Sequence, residues 1–515
     1  MSLLERSIIS IIEPNFSILA LEKLLMEDRT TSKDVSEQIN GLPAGTEFMN
    51  DPSKQTGITV PWISINSMKL DQDEIGGLEI DISDKVPTLF LKFKDSKNRI
   101  AMDAPLDAAI VSVYIKPPDE ENQRPIRMDF NIVSFDGNPK SRTYICRGIL
   151  RLPKFYSEVC QSFKSASSFD HLKKMCQDLG IGYASNEDNT VDVMTRFIPF
   201  ENYEFFVNET VETSYKDDDS FFDWYIDPWY YLCLVNVNKQ FDLEDEFEEI
   251  NISNWPPVSS MQGGKGMDSH KASFMLSTGH PHATTNLGIE AYNMVNTSGD
   301  VSIKNGYQRT GQWLNIDGKV IKPEQAFSEA LTTPGAENDF ILLKGRKQDD
   351  GTLFDYREWK KYSWLGKQSS NANEGNVHDN YAFAKILNHQ NLEELRKTSL
   401  VVNMRGINFY VYKYQKIPVS IYESGTEDNK ANMANRNRLL GEENPDPEPG
   451  SEQEKLVGTG SPVSDPTQMV LNKFLSGYYV VGGIKYTWSK NPGYMQQQVT
   501  LIRREWPIPS KNNTP

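Results

Sequence analysis

Residues 126–132, which read Ile126-Arg127-Met128-Asp129-Phe130-Asn131-Ile132, give the clearest indication of the fold class. Apolar residues stand at every second position, the period of a β-strand with one buried face. Leu89, Leu91 and Phe93 alternate in the same way. Further strand candidates lie at residues 58–65, 109–115 and 145–152, and turns are predicted at 116–119 and 136–139. Short strands between regular turns predict a small barrel or sandwich over residues 58–153.

Within this region the apolar pattern changes phase once. Ile58, Val60 and Trp62 alternate, and the pattern then slips by one residue to Ile63 and Ile65. A β-bulge would explain the slip, and so would a strand that is buried on both faces.

The period becomes helical after residue 154. Ser167 precedes Asp170 at capping-box spacing, apolar residues follow at helical intervals, and Gly180 suits a left-handed helix end. A second helix is predicted over Asn202–Thr213, and aromatic runs around Asp227-Pro228 predict a hairpin. We therefore expect a small α/β insert that ends in the charge run at 242–249.

The N-terminal residues predict a polar, partly helical lead. Ile8, Ile11 and Ile12 have helical spacing, Pro14 interrupts the run, and the spacing resumes over residues 18–25. In the C-terminal half we expect irregular β-structure at 251–345, a helix at 381–395, strands at 399–403 and 409–413 around a turn at 404–406, a mobile loop at 423–466, and strands at 475–481, 483–488 and 496–503.

Composition limits the classes of function. The 515 residues exceed what one core supports, so several domains are expected. The net charge of −17 without a basic stripe argues against nucleic-acid binding. No apolar stretch reaches the length of a membrane span, and the start of the chain lacks a signal-peptide pattern. Four cysteines without a CxxC pair predict reduced, buried thiols in a protein made in a cytoplasm.

No segment carries a specific catalytic or metal-binding pattern. His280-Pro281-His282 lacks an adjacent acidic or Cys ligand, so a structural role is favoured over a metal. Gly263-Gly264-Lys265-Gly266 lacks the Ser or Thr of a phosphate-binding loop. Lys216-Asp217-Asp218-Asp219 lacks the alternation of a calcium loop and predicts a helix N-terminus or a turn. We assign no catalytic, cofactor-binding or metal-binding residues and expect no cofactor.

Two patterns leave an enzyme open as an alternative. The 71 acidic residues leave open a pair of catalytic carboxylates such as a glycosidase uses. Seven aromatic residues suit either a sugar-stacking platform or a packed core, and the core is favoured because aromatic residues carry much of core burial. They are Phe221, Phe222, Trp224, Tyr225, Trp229, Tyr230 and Tyr231.

Two stretches carry a resemblance to a known family. The first runs from Asn202-Tyr203-Glu204-Phe205-Phe206 through Ser220-Phe221-Phe222-Asp223-Trp224-Tyr225-Ile226-Asp227 to Val235-Asn236-Val237-Asn238-Lys239. The second runs from Leu475-Ser476-Gly477-Tyr478-Tyr479-Val480-Val481 to Leu501-Ile502-Arg503-Arg504-Glu505-Trp506-Pro507. Together with the order of units over residues 58–507, they resemble the baseplate central hub proteins of contractile-tailed bacteriophages, the myovirus tail hub family.

The resemblance implies a non-enzymatic structural protein of the virion tail. Such hubs are homotrimers in which each chain supplies two small tudor-like β-barrels. Three chains would match the hexameric tail tube on one side, hold the trimeric spike on the other, and line the conduit for genome ejection. The implied partners are the tail spike protein, tail tube or tube-initiator proteins, and baseplate wedge proteins.

The resulting fold class is α+β and β-rich with several domains. We expect an N-terminal extension at 1–57, a first β-barrel at 58–153, the α/β insert at 154–250, an irregular β-rich domain at 251–395, a second β-barrel at 396–422 and 467–507, a flexible acidic and Pro-rich insertion at 423–466, and a tail at 508–515.

Three other functions remain as alternatives. They are a tail-associated peptidoglycan hydrolase, a secretion-system spike or hub, and a peripheral baseplate structural protein. A clearing assay on purified cell walls would identify the hydrolase. Long valine- and glycine-repeat β-helix sequence would favour the secretion system, and the chain has none.

Deleting Glu427–Ser461 should leave folding intact, because this segment has few apolar residues to bury. The shortened chain should melt in one cooperative transition at nearly the parent temperature, as followed by circular dichroism. Loss of cooperative melting would show that the segment is structural.

Overall fold

The described part of the chain is built largely from strands. The computed structural model describes residues 7–15, 19, 61–66, 68–98, 100, 109–115, 126–242, 274–278, 289–296, 308–314, 324–327, 360–366, 378, 380–381, 384–385, 387–388, 395, 398–405, 407, 411–424, 469–471, 477–490, 493 and 495–503. The composition of these elements confirms a β-rich fold with few helices.

The element bounds follow the chain in order. The strands are β1 Ile9–Ile12, β2 Trp62–Ile65, β3 Met68–Lys69, β4 Ile75–Asp81, β5 Thr88–Lys94, β6 Ile110–Ile115, β7 Ile126–Asn138, β8 Thr143–Leu150, β9 Val159–Ala166, β10 Gly182–Ser185, β11 Met194–Glu201, β12 Phe222–Ile226, β13 Tyr231–Asn236, β14 Phe274–Thr278, β15 Ile289–Asn296, β16 Gln308–Leu314, β17 Glu324–Phe327, β18 Lys360–Gly366, β19 Thr398–Arg405, β20 Lys416–Ser424, β21 Met469–Leu471, β22 Gly477–Ser489 and β23 Met495–Ile502. The helices are α1 Ser168–Leu179, α2 Tyr203–Glu212 and α3 Val237–Phe241.

One sheet of 14 strands joins strands from the N-terminal and C-terminal parts of the described chain. Its path is β15-β19-β23-β22-β4-β5-β8-β7-β6-β2-β3, and β20 pairs with β22 and carries β14 and β21. The pairing of β22 with β4, here called the seam, is antiparallel and places Lys485 opposite Asp81 and Ser489 opposite Gly77. Lys485 donates to Glu79 at 3.0 Å and pairs with Asp81 at 2.9 Å across the seam.

The predicted alternation is present in the strands of this sheet. Ile126, Met128 and Phe130 in β7 are fully buried. Asp129, on the other face, is also buried because the insert packs there, and its backbone N–H donates to Tyr230 Oη at 2.9 Å. The phase slip near Ile63 arises because β2 is largely buried on both faces. It does not come from a β-bulge between β2 and β6, since these two strands pair in continuous register.

The insert contains a second, four-stranded sheet of order β1-β10-β13-β12 and a two-stranded ribbon formed by β9 and β11. The helix predictions are confirmed at their caps. Ser167 Oγ accepts from the Asp170 N–H, and Gly180 ends α1 with a φ of 73°. Asn202 caps α2 in the same way as Ser167 caps α1. The hairpin prediction is confirmed by β12 and β13.

The N-terminal segment differs from its prediction. Ile9–Ile12 forms a strand that pairs with β10, with Ile9 opposite Ser185. The helical spacing was misleading because an open edge of the insert sheet provides backbone partners, and β-branched residues fit a strand. Ile8 is buried beside Tyr414 and Val480. The helix predicted at 18–25 lies almost wholly outside the described residues.

The C-terminal strands also differ in detail. Of the strand predicted at 409–413, the described residues 411–413 form no strand, and the strand that pairs with β22 is β20 at Lys416–Ser424. β19 extends through the predicted turn to Arg405, and the two strands predicted from 475 to 488 are one strand, β22. The described part of the segment at 381–388 is helical, as predicted.

Two further expectations need correction or remain open. Cys160 is exposed, whereas Cys146, Cys176 and Cys233 are buried free thiols as expected.

In the described residues the main sheet is open at β15 and β3, so the two closed barrels stay predictions. The domain boundaries also stay predictions.

Gly182→Ala should destabilise the protein by about 1–3 kcal/mol, because overpacking a filled core forces neighbours to move. The new Cβ would lie 2.5 Å from Cδ1 of Tyr231. Gly77→Ala is the matched control in the main sheet, since the nearest atom to its Cβ would be Trp488 O at 3.8 Å. Urea unfolding measures both variants, and equal stability would contradict the packing described for β10.

Candidate functional site

A buried carboxylate lies where three parts of the chain meet. Asp223, in β12, accepts hydrogen bonds from Lys85 Nζ and from Tyr414 Oη. Its side chain is 4% exposed. A buried charge is tolerated only when it is paired and hydrogen-bonded, so Asp223 fixes both partners against the insert.

Lys413, in the C-terminal part of the chain, makes further contacts next to Asp223. Its Nζ donates to the carbonyls of Ser83 at 2.7 Å and Asp84 at 3.0 Å. The ammonium also lies 5.4 Å from the ring centroid of Tyr225, whose Oη donates to the Lys413 carbonyl at 3.2 Å. We call residues 83–85, Asp223, Tyr225 and 413–414 the junction.

The backbone of the junction is constrained as well. The Ile226 N–H donates to the Lys85 carbonyl at 2.8 Å, and the Tyr414 N–H donates to the Val481 carbonyl at 2.7 Å. Tyr414 has a φ of 67°, which costs a residue with a side chain about 1–3 kcal/mol. The surrounding contacts hold it there, so the junction is a fixed point between the two sheets.

A second polar cluster surrounds Glu187 inside the insert. Its carboxylate pairs with Lys216 and with Lys239, the latter at 3.3 Å, and accepts from Asn236 Nδ2 at 3.0 Å. Glu187 is buried, so these contacts hold the loop before β12 against α3.

The acidic run 217–219 follows this cluster and forms a turn, the second of the two structures predicted for it. The Ser220 hydroxyl accepts from the backbone N–H groups of Lys216 and Asp217 and donates to the Asp217 carbonyl at 2.7 Å. Tyr215 Oη donates to Asp218 Oδ1 at 2.7 Å. No group of three or more metal ligands occurs among the residues that the structure describes.

A third cluster lies between α1 and the ribbon. Asp192 accepts from the Ser168 N–H at 3.0 Å and from its hydroxyl, and Arg196 donates to Ser168 Oγ at 2.9 Å. His171 Nε2 donates to the Lys164 carbonyl at 2.8 Å. Burial lowers the pKa of His171, and the charge of Arg196 lowers it further.

The three carboxylate clusters join elements within the fold. The carboxylates of Asp223, Glu187 and Asp192 are each held by cations or hydroxyl donors inside the protein. Burial raises the pKa of the Cys146 thiol to about 12, so that thiol is not a nucleophile near neutral pH. The clusters therefore fix the relative positions of elements.

The structure places the sequence candidates as follows. His280-Pro281-His282 and Gly263-Gly264-Lys265-Gly266 lie outside the described residues. The aromatic residues at 221–231 are core, with only Trp229 partly exposed, as favoured from the sequence. No helix in the described ranges is long and apolar enough to cross a membrane.

The junction was missed by sequence reasoning. Lys85 and Tyr414 lie 138 and 191 positions from Asp223, so no local spacing connects them. One signal was available, because Asp223 is a single charge within the apolar run 221–226. A charge inside a buried strand requires a partner, and the sequence does not say which one.

Comparisons with solved structures give weak likenesses. A tail protein from Neisseria meningitidis MC58 has 9% identity and a TM-score of 0.45, covering 86% of this chain and 96% of that one. The 43 kDa tail protein of prophage MuSo2 from Shewanella oneidensis has 8% identity and a TM-score of 0.44, covering 87% and 98%. An E. coli component of the type VI secretion system has 8% identity and a TM-score of 0.36, covering 87% and 79%.

These similar structures are tail or secretion-system proteins, and TM-scores of 0.45 and less do not establish a shared fold or function. No protein-family model matches the sequence. No curated protein matches it either.

Asp223→Asn should destabilise the protein by about 1.5–3 kcal/mol, because the neutral amide weakens the hydrogen bonds from Lys85, whose side chain is 30% exposed, and from Tyr414. Asp136→Asn is the control, since Asp136 pairs with Arg147 at 2.9 Å on the surface and the loss should be within about 1 kcal/mol. Urea unfolding of both variants measures the difference. Equal effects would show that the junction does not stabilise the fold.

Lowering the pH should reduce the free energy of unfolding in part through His171. The unfolded chain binds a proton near the ordinary pKa of 6.5, whereas the folded protein resists protonation until lower pH. Stability from this residue is therefore complete above about pH 6.5 and falls as the pH drops below it.

His171→Gln keeps a donor for the Lys164 carbonyl and cannot take up the proton. Its melting temperature should fall less than that of the parent between about pH 7.5 and 5.5. Identical pH dependence of the two proteins would contradict the assignment.

Proposed function

We propose that the chain is a non-enzymatic structural subunit of a phage-type contractile tail, and that it acts as the trimeric baseplate hub. In this role it joins the hexameric tail tube to the trimeric central spike and lines the conduit for genome ejection. Its partners would be further copies of itself, the spike protein, tube or tube-initiator proteins, and baseplate wedge proteins. The division into two barrel domains, an insert and a loop at 423–466 belongs to this proposal.

The observation that carries the proposal is the seam. It makes one continuous sheet from the N-terminal and C-terminal β regions, and this supports the proposal that two β units are held side by side in each chain. An adapter between six tube subunits and three spike subunits requires two units in each chain, held without a hinge. Three copies would then present six units to the tube.

The junction supports the same role. It connects the insert to both sides of the seam, through Lys85 on one side and Tyr414 on the other. Force applied by a contracting tail would pass through packed strands and buried ion pairs rather than through a flexible connection. The net charge of −17 suits a lumen through which DNA slides, because like charges prevent adhesion.

The test is the mass of the purified full chain in solution, measured by light scattering, alone and with its candidate spike and tube proteins. The expected result is three times 58.6 kDa for the chain alone, or a complex of that mass plus one spike trimer when the spike is added. An unrelated trimeric protein of similar charge serves as the control for non-specific association.

A stable monomer that binds neither spike nor tube would overturn the hub proposal. It would favour a peripheral baseplate protein, or a tail-associated peptidoglycan hydrolase if purified cell walls were cleared.

A further inference from the structure

One end of the main sheet is basic although the chain as a whole is acidic. Lys92 and Lys94 are exposed at the C-terminal end of β5, on its outer face. The neighbouring strand β8 exposes Arg147, and the turn between β7 and β8 exposes Lys140 and Arg142. These five side chains are here called the basic patch. They are dispersed along the chain, so the linear sequence shows no basic stripe.

The register of β5 and β8 brings the patch together. Lys94 lies opposite the residue that follows Arg142, so the turn stands beside the end of β5. The Arg142 guanidinium donates to the Ser96 carbonyl at 3.3 Å, which holds the turn in this position. Arg147 is two residues from the partner of Lys92 and therefore lies on the same face of the sheet.

Little of this surface charge is neutralised within the chain. Arg147 pairs with Asp136 at 2.9 Å. Within the described ranges, Lys92, Lys94 and Lys140 form no ion pair with a carboxylate. Three exposed ammonium groups are therefore available to another molecule.

Two buried carboxylates lie near the end of β5. Glu74 accepts from the Ser96 N–H at 3.2 Å, and Asp95 accepts from the Ile100 N–H at 2.8 Å. Counting these two and Asp136, five cations stand against three carboxylates, and only Asp136 of the three is on the surface. The end of the sheet that faces solvent is therefore positive.

The insert carries the opposite charge. Residues 154–242 contain 16 acidic and 7 basic residues, which gives this segment a net charge of −9 out of the −17 of the chain. Part of this charge is concentrated in the turn at 217–219, here called the acidic turn, where Asp217, Asp218 and Asp219 are all exposed.

The patch and the attachment point of the insert lie at opposite ends of β5. The strand begins three residues after Lys85, which binds Asp223 of the insert, and it ends at Lys94. Its seven residues span roughly 20 Å. The acidic turn precedes β12, whose last residue, Ile226, is the one that donates to the Lys85 carbonyl. Among the described residues no ion pair joins the patch to the acidic turn.

We propose that the basic patch of one copy binds the acidic turn of the next copy around the trimer. The two surfaces differ, so the contact is head-to-tail, the kind of contact that a closed ring of three requires. Copies that each carry a charge of −17 repel one another, so a stable ring needs local contacts between opposite charges. This inference rests on the proposed homotrimer and assigns both surfaces of one of its contacts.

A nucleic-acid backbone is the other polyanion with the chemistry to bind such a patch. The charge balance favours a second copy of the chain. Binding to a phosphate backbone needs many cations without competing acids, whereas this patch is small and the rest of the chain is acidic.

The first experiment compares full-length variants by light scattering over a range of concentrations. The patch variant carries Lys92→Glu and Lys94→Glu, and the turn variant carries Asp217→Lys and Asp219→Lys. Each should raise the Kd of the oligomer at least about a hundredfold, because like charges then face each other across the contact. A chain with all four substitutions restores opposite charges with the signs exchanged, so its Kd should return to within about tenfold of the parent value.

The matched control is Lys154→Glu combined with Lys164→Glu. Both lysines are exposed on the insert, and the pair changes the net charge by as much as the patch variant does. The control oligomer should persist. If it dissociates as readily as the patch variant, net charge rather than the patch controls association, and the inference is overturned.

The outcomes separate this inference from the proposed function. A parent oligomer that persists in the patch variant overturns the inference and leaves the homotrimer standing. The same conclusion follows if the chain with four substitutions stays dissociated. A parent chain that is monomeric at every concentration overturns both, whether or not it binds a DNA duplex through the patch.

A second measurement needs no variant. A carbodiimide joins a lysine amine to a carboxylate in contact with it, and mixing isotope-labelled with unlabelled parent chains identifies the cross-links that connect two copies. By mass spectrometry, cross-links of mixed isotope composition should join peptides that contain Lys92 or Lys94 to the peptide that contains the acidic turn. An oligomer whose cross-links between copies all join other segments would overturn the proposal.

Discussion

The burial of one carboxylate constrains much of this structure. The Asp223 side chain is almost wholly removed from water, so it requires a cation and a hydroxyl from elsewhere in the protein. Those groups come from Lys85, next to the seam, and from Tyr414, whose N–H is bonded to β22. The register of β12, the conformation of residues 413–414 and the angle between the two sheets are therefore set together.

The remaining polar clusters act in a similar way over shorter distances. Glu187 holds the loop at 216–219 to α3, and Asp192 holds the start of α1 to the ribbon. Each cluster joins separate elements of the fold. The carboxylates of Asp223, Glu187 and Asp192 are all engaged in these contacts. A protein stabilised in this way is suited to keep its shape under load, which is the property that the proposed hub requires.

The sequence allowed good prediction where the controlling interactions are local. The caps at Ser167 and Asn202, the glycine end of α1 and the alternation of β7 depend on residues a few positions apart. The strand at Ile9–Ile12 was mispredicted because its partner is β10, far along the chain. The junction could not be predicted for the same reason, although the single charge of Asp223 within an aromatic strand was a visible signal.

The seam has a consequence for how the protein is made. Lys485 and Glu79, which meet across it, are 406 positions apart in the chain. At ribosomal rates of roughly 5–20 residues per second, β4 waits on the order of 20–80 seconds for its partner strand to be synthesised. During that time its open edge invites pairing with other nascent chains. Production of this protein should therefore depend on chaperones that bind the emerging N-terminal half until the C-terminal strands have been synthesised.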